Sequence, residues 1–116
     1  EKAAQGKTPT DVWWHTIVSP NGREKTGYAT QKPLGIISRI VKIHSNPGDT
    51  LCDFFGGSGT LGEAAYMSGR NCILVDQNQE AIAIMRKRFT NFDTEWIGCE
   101  TREEAADVIS SPEIYE

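Results

Sequence analysis

From Pro33 onward the apolar residues fall at helical spacing. Leu34, Ile37, Val41 and His44 follow a 3.6-residue period, and Ile36, Ile40 and Ile43 widen the apolar stripe. Pro33 suits the first turn of such a helix, and Asn46-Pro47-Gly48-Asp49 ends it. Two rounds of strand, turn and helix follow. Thr50 to Phe54 reads as a strand, and Gly56-Gly57-Ser58-Gly59 as a turn. Thr60 to Ser68 reads as a helix that buries Leu61, Ala64 and Ala65 and stops at Gly69. Cys72 to Val75 is the second strand, closed by Asp76. Asn78 is placed to cap a helix from Gln79 to Phe89 with Ile82, Met85 and Phe89 on one face. The order βαβα predicts an α/β fold, with parallel strands and helices packed on the sheet.

The flanks carry weaker patterns. Residues 1–10 are polar and read as a linker or loose start. Residues 11–18, DVWWHTIV, are rich in Trp and β-branched residues and suggest a strand or extended arm. A polar loop with a Pro20-Asn21-Gly22 turn signal connects this arm to the first helix. Glu95 to Cys99 suggests a third strand. Thr101 and Glu104 have capping-box spacing, so residues 100–116 read as an acidic tail with a short helix carrying Ala105, Val108 and Ile109.

Composition narrows the classes. The 116 residues amount to one domain, 38% hydrophobic, with a formal net charge of −4. The tail holds Glu100, Glu103, Glu104, Asp107, Glu113 and Glu116 against Arg102, so the body is close to neutral. No basic excess predicts strong nucleic-acid affinity for this piece alone. No apolar run is long enough to cross a membrane or to serve as a signal peptide, so a soluble, cytoplasmic protein is the expectation. Cys52, Cys72 and Cys99 are odd in number and lack C-x-x-C spacing, which argues against a disulfide framework or a zinc site. Cys52 and Cys72 lie in apolar runs and read as small buried thiols. His15 and His44 show no metal-ligand spacing, and no metal is expected. Trp13 and Trp14 read as packing residues. Arg86, Lys87 and Arg88 complement the dipole at a helix end, with nucleic-acid contact as the second reading.

The chemistry concentrates in residues 53–62, DFFGGSGTLG. Glycines between a strand and a helix let the backbone approach a ligand, and the first amides of the helix add partial positive charge. Gly57-x-Gly59-x-x-Gly62, with Asp76 nineteen residues after Gly57, satisfies the spacing of a dinucleotide fingerprint, so a nicotinamide-dependent oxidoreductase stands as one alternative. Two features oppose it. Asp53 closes the strand and two Phe precede the glycines, so an anion stands where a pyrophosphate would approach. That anion suits a ligand with a positive charge, such as the ammonium of a methionine moiety. The helix before the first strand is also introduced by a polar Thr30-Gln31-Lys32-Pro33.

These segments resemble a known family. Tyr28-Ala29-Thr30-Gln31-Lys32-Pro33 resembles the His-Pro-Thr-Gln-Lys-Pro motif of amino-directed DNA methyltransferases, with Tyr and Ala in place of His and Pro. Asp53-Phe54-Phe55-Gly56-Gly57-Ser58-Gly59-Thr60 resembles their Asp-x-Phe-x-Gly-x-Gly-Thr motif, and Asp76 sits where the family has its ribose-binding acid. The Asp11-Val12-Trp13 segment is similar to one that often precedes the Thr-Gln-Lys-Pro motif. The resemblance covers residues 11–89.

It implies a partial Rossmann-like methyltransferase fold with an incomplete sheet, and S-adenosylmethionine as cofactor. Residues 11–99 would form the cofactor-binding part. Asp53 would face the methionine amino group, and the backbone of Phe54, Phe55, Gly56, Gly57, Ser58 and Gly59 would shape the methionine pocket. Thr60 would open and cap the following helix. Asp76 would accept from both ribose hydroxyls, Gln77 or Asn78 would border the adenine, and Thr30, Gln31 and Lys32 would form the loop reaching the methionine carboxylate.

The family's catalytic motif, Asp, Asn or Ser before Pro-Pro and an aromatic, holds a flipped base. No Pro-Pro occurs here, so no catalytic residue is expected in this chain. The resemblance then implies the cofactor-binding C-terminal part of a restriction-modification type enzyme, inactive alone, that methylates the exocyclic amine of adenine, or of cytosine as second choice. Duplex DNA would bind through missing upstream segments. The incomplete sheet would drive self-association or pairing with the upstream catalytic part. A non-catalytic, partner-binding remnant is the remaining alternative.

Overall fold

The computed structural model describes residues 6–99. Five elements follow in order: α1 (Leu34–His44), β1 (Thr50–Asp53), α2 (Thr60–Met67), β2 (Asn71–Leu74) and α3 (Gln79–Arg88). All five lie within two residues of the bounds predicted by apolar periodicity. The two strands pair in parallel, in a register from Thr50 opposite Asn71 to Asp53 opposite Leu74. The pairing continues past the strand ends, where Val75 N donates to the Asp53 carbonyl (2.8 Å) and Gly56 N to the Val75 carbonyl (2.9 Å).

Local chemistry sets the helix ends. Pro33 is the N-cap of α1 rather than part of its first turn, and it makes no side-chain cap bond. Glu24, from the preceding loop, fills the gap: its carboxylate accepts from Leu34 N. α2 ends as its glycine predicts, with Gly69 N donating to the Tyr66 carbonyl and Arg70 N to that of Ala65. Arg70 then ties two helix ends together, donating to the Ser45 carbonyl (2.8 Å) and the Ser68 carbonyl (2.5 Å). Asn78 caps α3 as its position predicts, accepting from Glu80 N at 2.9 Å.

The core is small and one-sided. Ala81, Ile82, Met85 and Phe89 of α3 form its buried centre, with Tyr28, Leu74, Phe92 and Trp96 against it. α1 packs on α2, which packs on β2. Along both strands half-buried and exposed positions alternate: Leu51, Asp53, Cys72 and Leu74 are partly covered, while Thr50, Cys52, Asn71 and Ile73 are exposed. The sheet therefore has one covered face and one open face.

Three expectations need correction. Of the two readings of residues 11–18, strand or extended arm, the strand is absent, and Trp14, expected to pack, is 97% exposed and Ile17 83%. Of the arm's two tryptophans Trp13 alone packs, its indole under the Arg39 guanidinium and its Nε1 donating to the Thr10 carbonyl at 2.6 Å. A strand needs a partner to satisfy its amides, and among the described residues none lies beside this arm. Residues 95–99 are likewise irregular, although Trp96 stacks against the Arg86 guanidinium and the Cys99 carbonyl accepts from Arg86 at 2.5 Å. Cys52, expected buried, is exposed because its strand position points to the open face. The proposed helix with Ala105, Val108 and Ile109 lies outside the described residues. Among the described residues no helix is long and apolar enough to cross a membrane, and no cluster of metal-ligating side chains occurs.

The two strand thiols should differ sharply in reactivity. Cys72 is half-buried, and desolvation, followed by the charges of Asp53 and Cys52, pushes its thiol pKa up from 9.0 to about 11. At pH 8 about one Cys72 in a thousand would be thiolate. A maleimide or iodoacetamide time course should modify Cys52 first, and the rate at Cys72 should keep rising about tenfold per unit as pH climbs towards 11. Equal rates at pH 8 would contradict the assigned faces.

Candidate functional site

The carboxyl ends of β1 and β2 bring two acids and a glycine turn together. Asp53 is the last residue of β1, and its Oδ1 accepts from Phe55 N at 2.9 Å, which starts the turn. The chain then closes on itself, with Gly59 N donating to the Gly56 carbonyl at 2.8 Å. Gly57 and Gly59 have φ of 54° and 76°, the left-handed region that side chains resist. At Gly59 there is also no room: a Cβ would stand 2.6 Å from Phe89 Cζ and 2.9 Å from Met85 Cγ. The turn is pressed down onto α3.

Asp76 fastens the turn from the second strand. Its Oδ2 accepts from Gly57 N (2.8 Å) and its Oδ1 from Asn78 N (2.8 Å). Each carboxylate oxygen has a further lone pair, so the acid can hold the backbone and still accept from a ligand. Behind the turn, α2 begins with Gly59 as N-cap and no side-chain cap bond. This corrects the expectation that Thr60 caps the helix. Thr60 is instead its first residue, 5% exposed, and its hydroxyl donates to the Lys32 carbonyl at 3.3 Å. That bond seats the Thr-Gln-Lys-Pro loop against the start of α2.

Within the loop the three candidate side chains divide. Gln31 is used internally: its Oε1 accepts from Thr26 N and Thr26 Oγ1 (both 2.8 Å), and its Nε2 donates to the Glu24 carbonyl at 2.6 Å. Thr30 and Lys32 are exposed, with Lys32 Nζ donating to the Thr30 carbonyl at 3.2 Å. Tyr28 lies beside the turn, since a Cβ on Gly57 would stand 3.2 Å from its ring. Phe54 and Phe55 are 68% and 89% exposed at the turn's outer edge, and Gln77 and Asn78 are exposed past β2. Gly56 and Ser58 are buried.

Sequence reasoning missed Arg88. Its place in the run Arg86-Lys87-Arg88 predicts a role at the helix dipole, yet the three separate. Arg86 goes to Trp96 and Cys99, and Lys87 is exposed. Arg88, its side chain 7% exposed, pairs with Glu63 at 2.5 Å and donates to the Ser58 carbonyl at 2.8 Å. No local pattern marks such a residue, because its partners lie 25 and 30 positions away.

Comparison with known proteins decides the family. A family model described as DNA methylase, for the N6/N4 methyltransferases, matches residues 1–111. The chain belongs to this DNA methylase family. It is 34% identical over 83 residues to the type II methyltransferase M2.MboI of Moraxella bovis, covering 72% of this chain and 30% of that protein. It is 39% identical over 82 residues to the DNA adenine methyltransferase YhdJ of Escherichia coli (strain K12), covering 71% and 28%. The chain thus spans somewhat under a third of these relatives' length. Among solved structures, the M1.HpyAVI–SAM complex matches with a TM-score of 0.60 and 36% identity, over 72% of this chain and 42% of that one. The fold of this DNA methylase chain is accordingly part of the α/β methyltransferase fold. Membership in the family also removes the oxidoreductase reading of the glycine spacing.

Proposed function

We propose that this chain is the S-adenosylmethionine-binding portion of a site-specific DNA methyltransferase acting on the exocyclic amine of adenine, with cytosine the second choice. One observation carries the reading. Two carboxylates at the tips of adjacent parallel strands flank a glycine turn, and the second acid is bonded to that turn. A SAM complex of a 36% identical neighbour and the adenine specificity named for YhdJ support it.

The donor set suits the cofactor. It carries an ammonium, a carboxylate and a ribose diol, and the residues here offer a group of opposite or accepting character for each: an anion, a cation with helix amides, and a second anion. Asp53 would hold the ammonium. The uncapped first amides of α2, with Thr30 and Lys32, would meet the carboxylate. Asp76 would accept from the ribose hydroxyls, and Gln77 or Asn78 would border the adenine. The cofactor supplies an electrophilic methyl group. The chain's residues supply position and orientation, and these contribute much of the acceleration of an in-line transfer. The base-holding side belongs to the rest of the enzyme, so duplex DNA is a partner of the whole protein and this chain alone is inactive. Further strands would add at the edges of the two-stranded sheet, and helices or a second copy would cover its open face.

Calorimetry tests the proposal. The chain should bind S-adenosylhomocysteine and not NAD, and should show no turnover on duplex DNA. A folded chain that ignores S-adenosylhomocysteine, or prefers NAD, would overturn the binding assignment. Turnover by the chain alone would overturn the division of labour.

A further inference from the structure

We infer that Arg88 is a positioning residue for the glycine turn. The inference rests on the cofactor reading above only for its consequence in binding; the positioning itself concerns the chain alone. Arg88 is the last residue of α3, yet its guanidinium reaches back beneath the turn between β1 and α2. Nη1 donates to the Ser58 carbonyl (2.8 Å) and reaches the Thr60 hydroxyl (3.3 Å), while Nε pairs with Glu63 (2.5 Å). Ser58 and Thr60 are 4% and 5% exposed, and their hydroxyls lie 3.1 Å apart. Thr60 in turn bonds to the Lys32 carbonyl. One buried cation therefore joins the end of α3, the turn, the first turn of α2 and the Thr-Gln-Lys-Pro loop.

The geometry explains why the cation is an arginine. Its Nε and Nη1 point along separate directions of a planar fork, so one head can hold a carboxylate and a carbonyl together. A lysine ammonium would keep the charge at one point and lose the fixed angle between the two partners. Gly57 and Gly59 bring no side chains to hold the turn, so its shape depends on bonds made by other residues. Asp76 grips it at Gly57 from the ligand side, and Arg88 grips it at Ser58 from the core side. With the turn held at these two adjacent residues, the amides that open α2 just after it are fixed in direction before any ligand arrives.

Hydrogen exchange and calorimetry on the full chain test this. In Arg88→Lys the amides of Gly57 and Gly59 should exchange about tenfold faster or more, while those of Ala64 and Ala65 in the middle of α2 stay within about threefold. The dissociation constant for S-adenosylhomocysteine should rise about tenfold or more at a temperature where circular dichroism shows an intact fold. Glu63→Gln removes the ion pair but leaves the grip on Ser58, so turn exchange should change less than about threefold. Lys87→Gln, on the exposed neighbour, should change neither.

Unaltered turn exchange in Arg88→Lys would overturn the inference. So would Glu63→Gln matching Arg88→Lys, since the ion pair and not the hold on the turn would then be responsible. If the parent chain binds no S-adenosylhomocysteine but Arg88→Lys still frees the turn, the cofactor reading fails and the positioning role stands.

Discussion

Asp76→Ala should remove ligand binding and a measurable part of the fold at once. The carboxylate accepts two backbone amides, from Gly57 and Asn78, at 2.8 Å each. Hydrogen bonds to a charged group contribute about 1.5–3 kcal/mol each, and the half-burial of Asp76 places it near the low end. A loss of about 2–3 kcal/mol in urea unfolding is expected. The same change takes away the acceptor for the ribose hydroxyls, so S-adenosylhomocysteine affinity should fall by about a hundredfold or more. Asp76→Asn keeps one acceptor oxygen and should lie between the two. If Asp76→Ala unfolds at the parental urea concentration, the clasp on Gly57 has no energetic weight. If it also binds as the parent does, the ribose assignment goes with it.

Gly59→Ala should destabilise the chain by about 2–5 kcal/mol. About 1–2 kcal/mol comes from placing a side chain in the left-handed region. A further 1–3 kcal/mol or so comes from forcing a methyl into a packed site, where Phe89 and Met85 atoms would stand at 2.6 and 2.9 Å. Domains have about 5–15 kcal/mol in total, so one methyl group removes a large share. Gly57→Ala separates the two contributions. Its φ is also positive, but its neighbour is the edge of the Tyr28 ring at 3.2 Å, which can yield. It should cost only the backbone part. Denaturation midpoints that are the same for both variants would show that contact with α3 does not fix the turn. A partial recovery in Gly59→Ala with Phe89→Leu is the positive sign.

The elements that were legible in the sequence are those decided by short-range periodicity and caps. Ile82, Met85 and Phe89 announce the face of α3, and Asn78 its start, because both depend on neighbours within one or two turns. The acids at the two strand tips were legible for the same reason: each ends an apolar run. What failed required knowing a partner. Residues 11–18 have strand chemistry but, among the described residues, no strand to pair with, and Glu95–Cys99 likewise. Cys52 has the composition of a core residue but faces the side that none of the described helices covers. Within Thr-Gln-Lys-Pro, all three polar side chains looked equivalent, yet Gln31 is taken up by Thr26 and Glu24. Its amide shapes the loop that the other two residues occupy. Arg88 failed most fully, since its charge suggested the helix dipole while its role lies across the fold.

The open side of the sheet has a consequence for handling the protein. Ile73 and Val75 are 54% and 46% exposed and lie one position apart from Leu74, which is in the core. Dressed with helices on one side and oily on the other, the slab is built like a surfactant. It should spread at air–water interfaces and cling to hydrophobic resin and plastic, so recovery in dilute solution depends on the vessel wall as much as on the buffer.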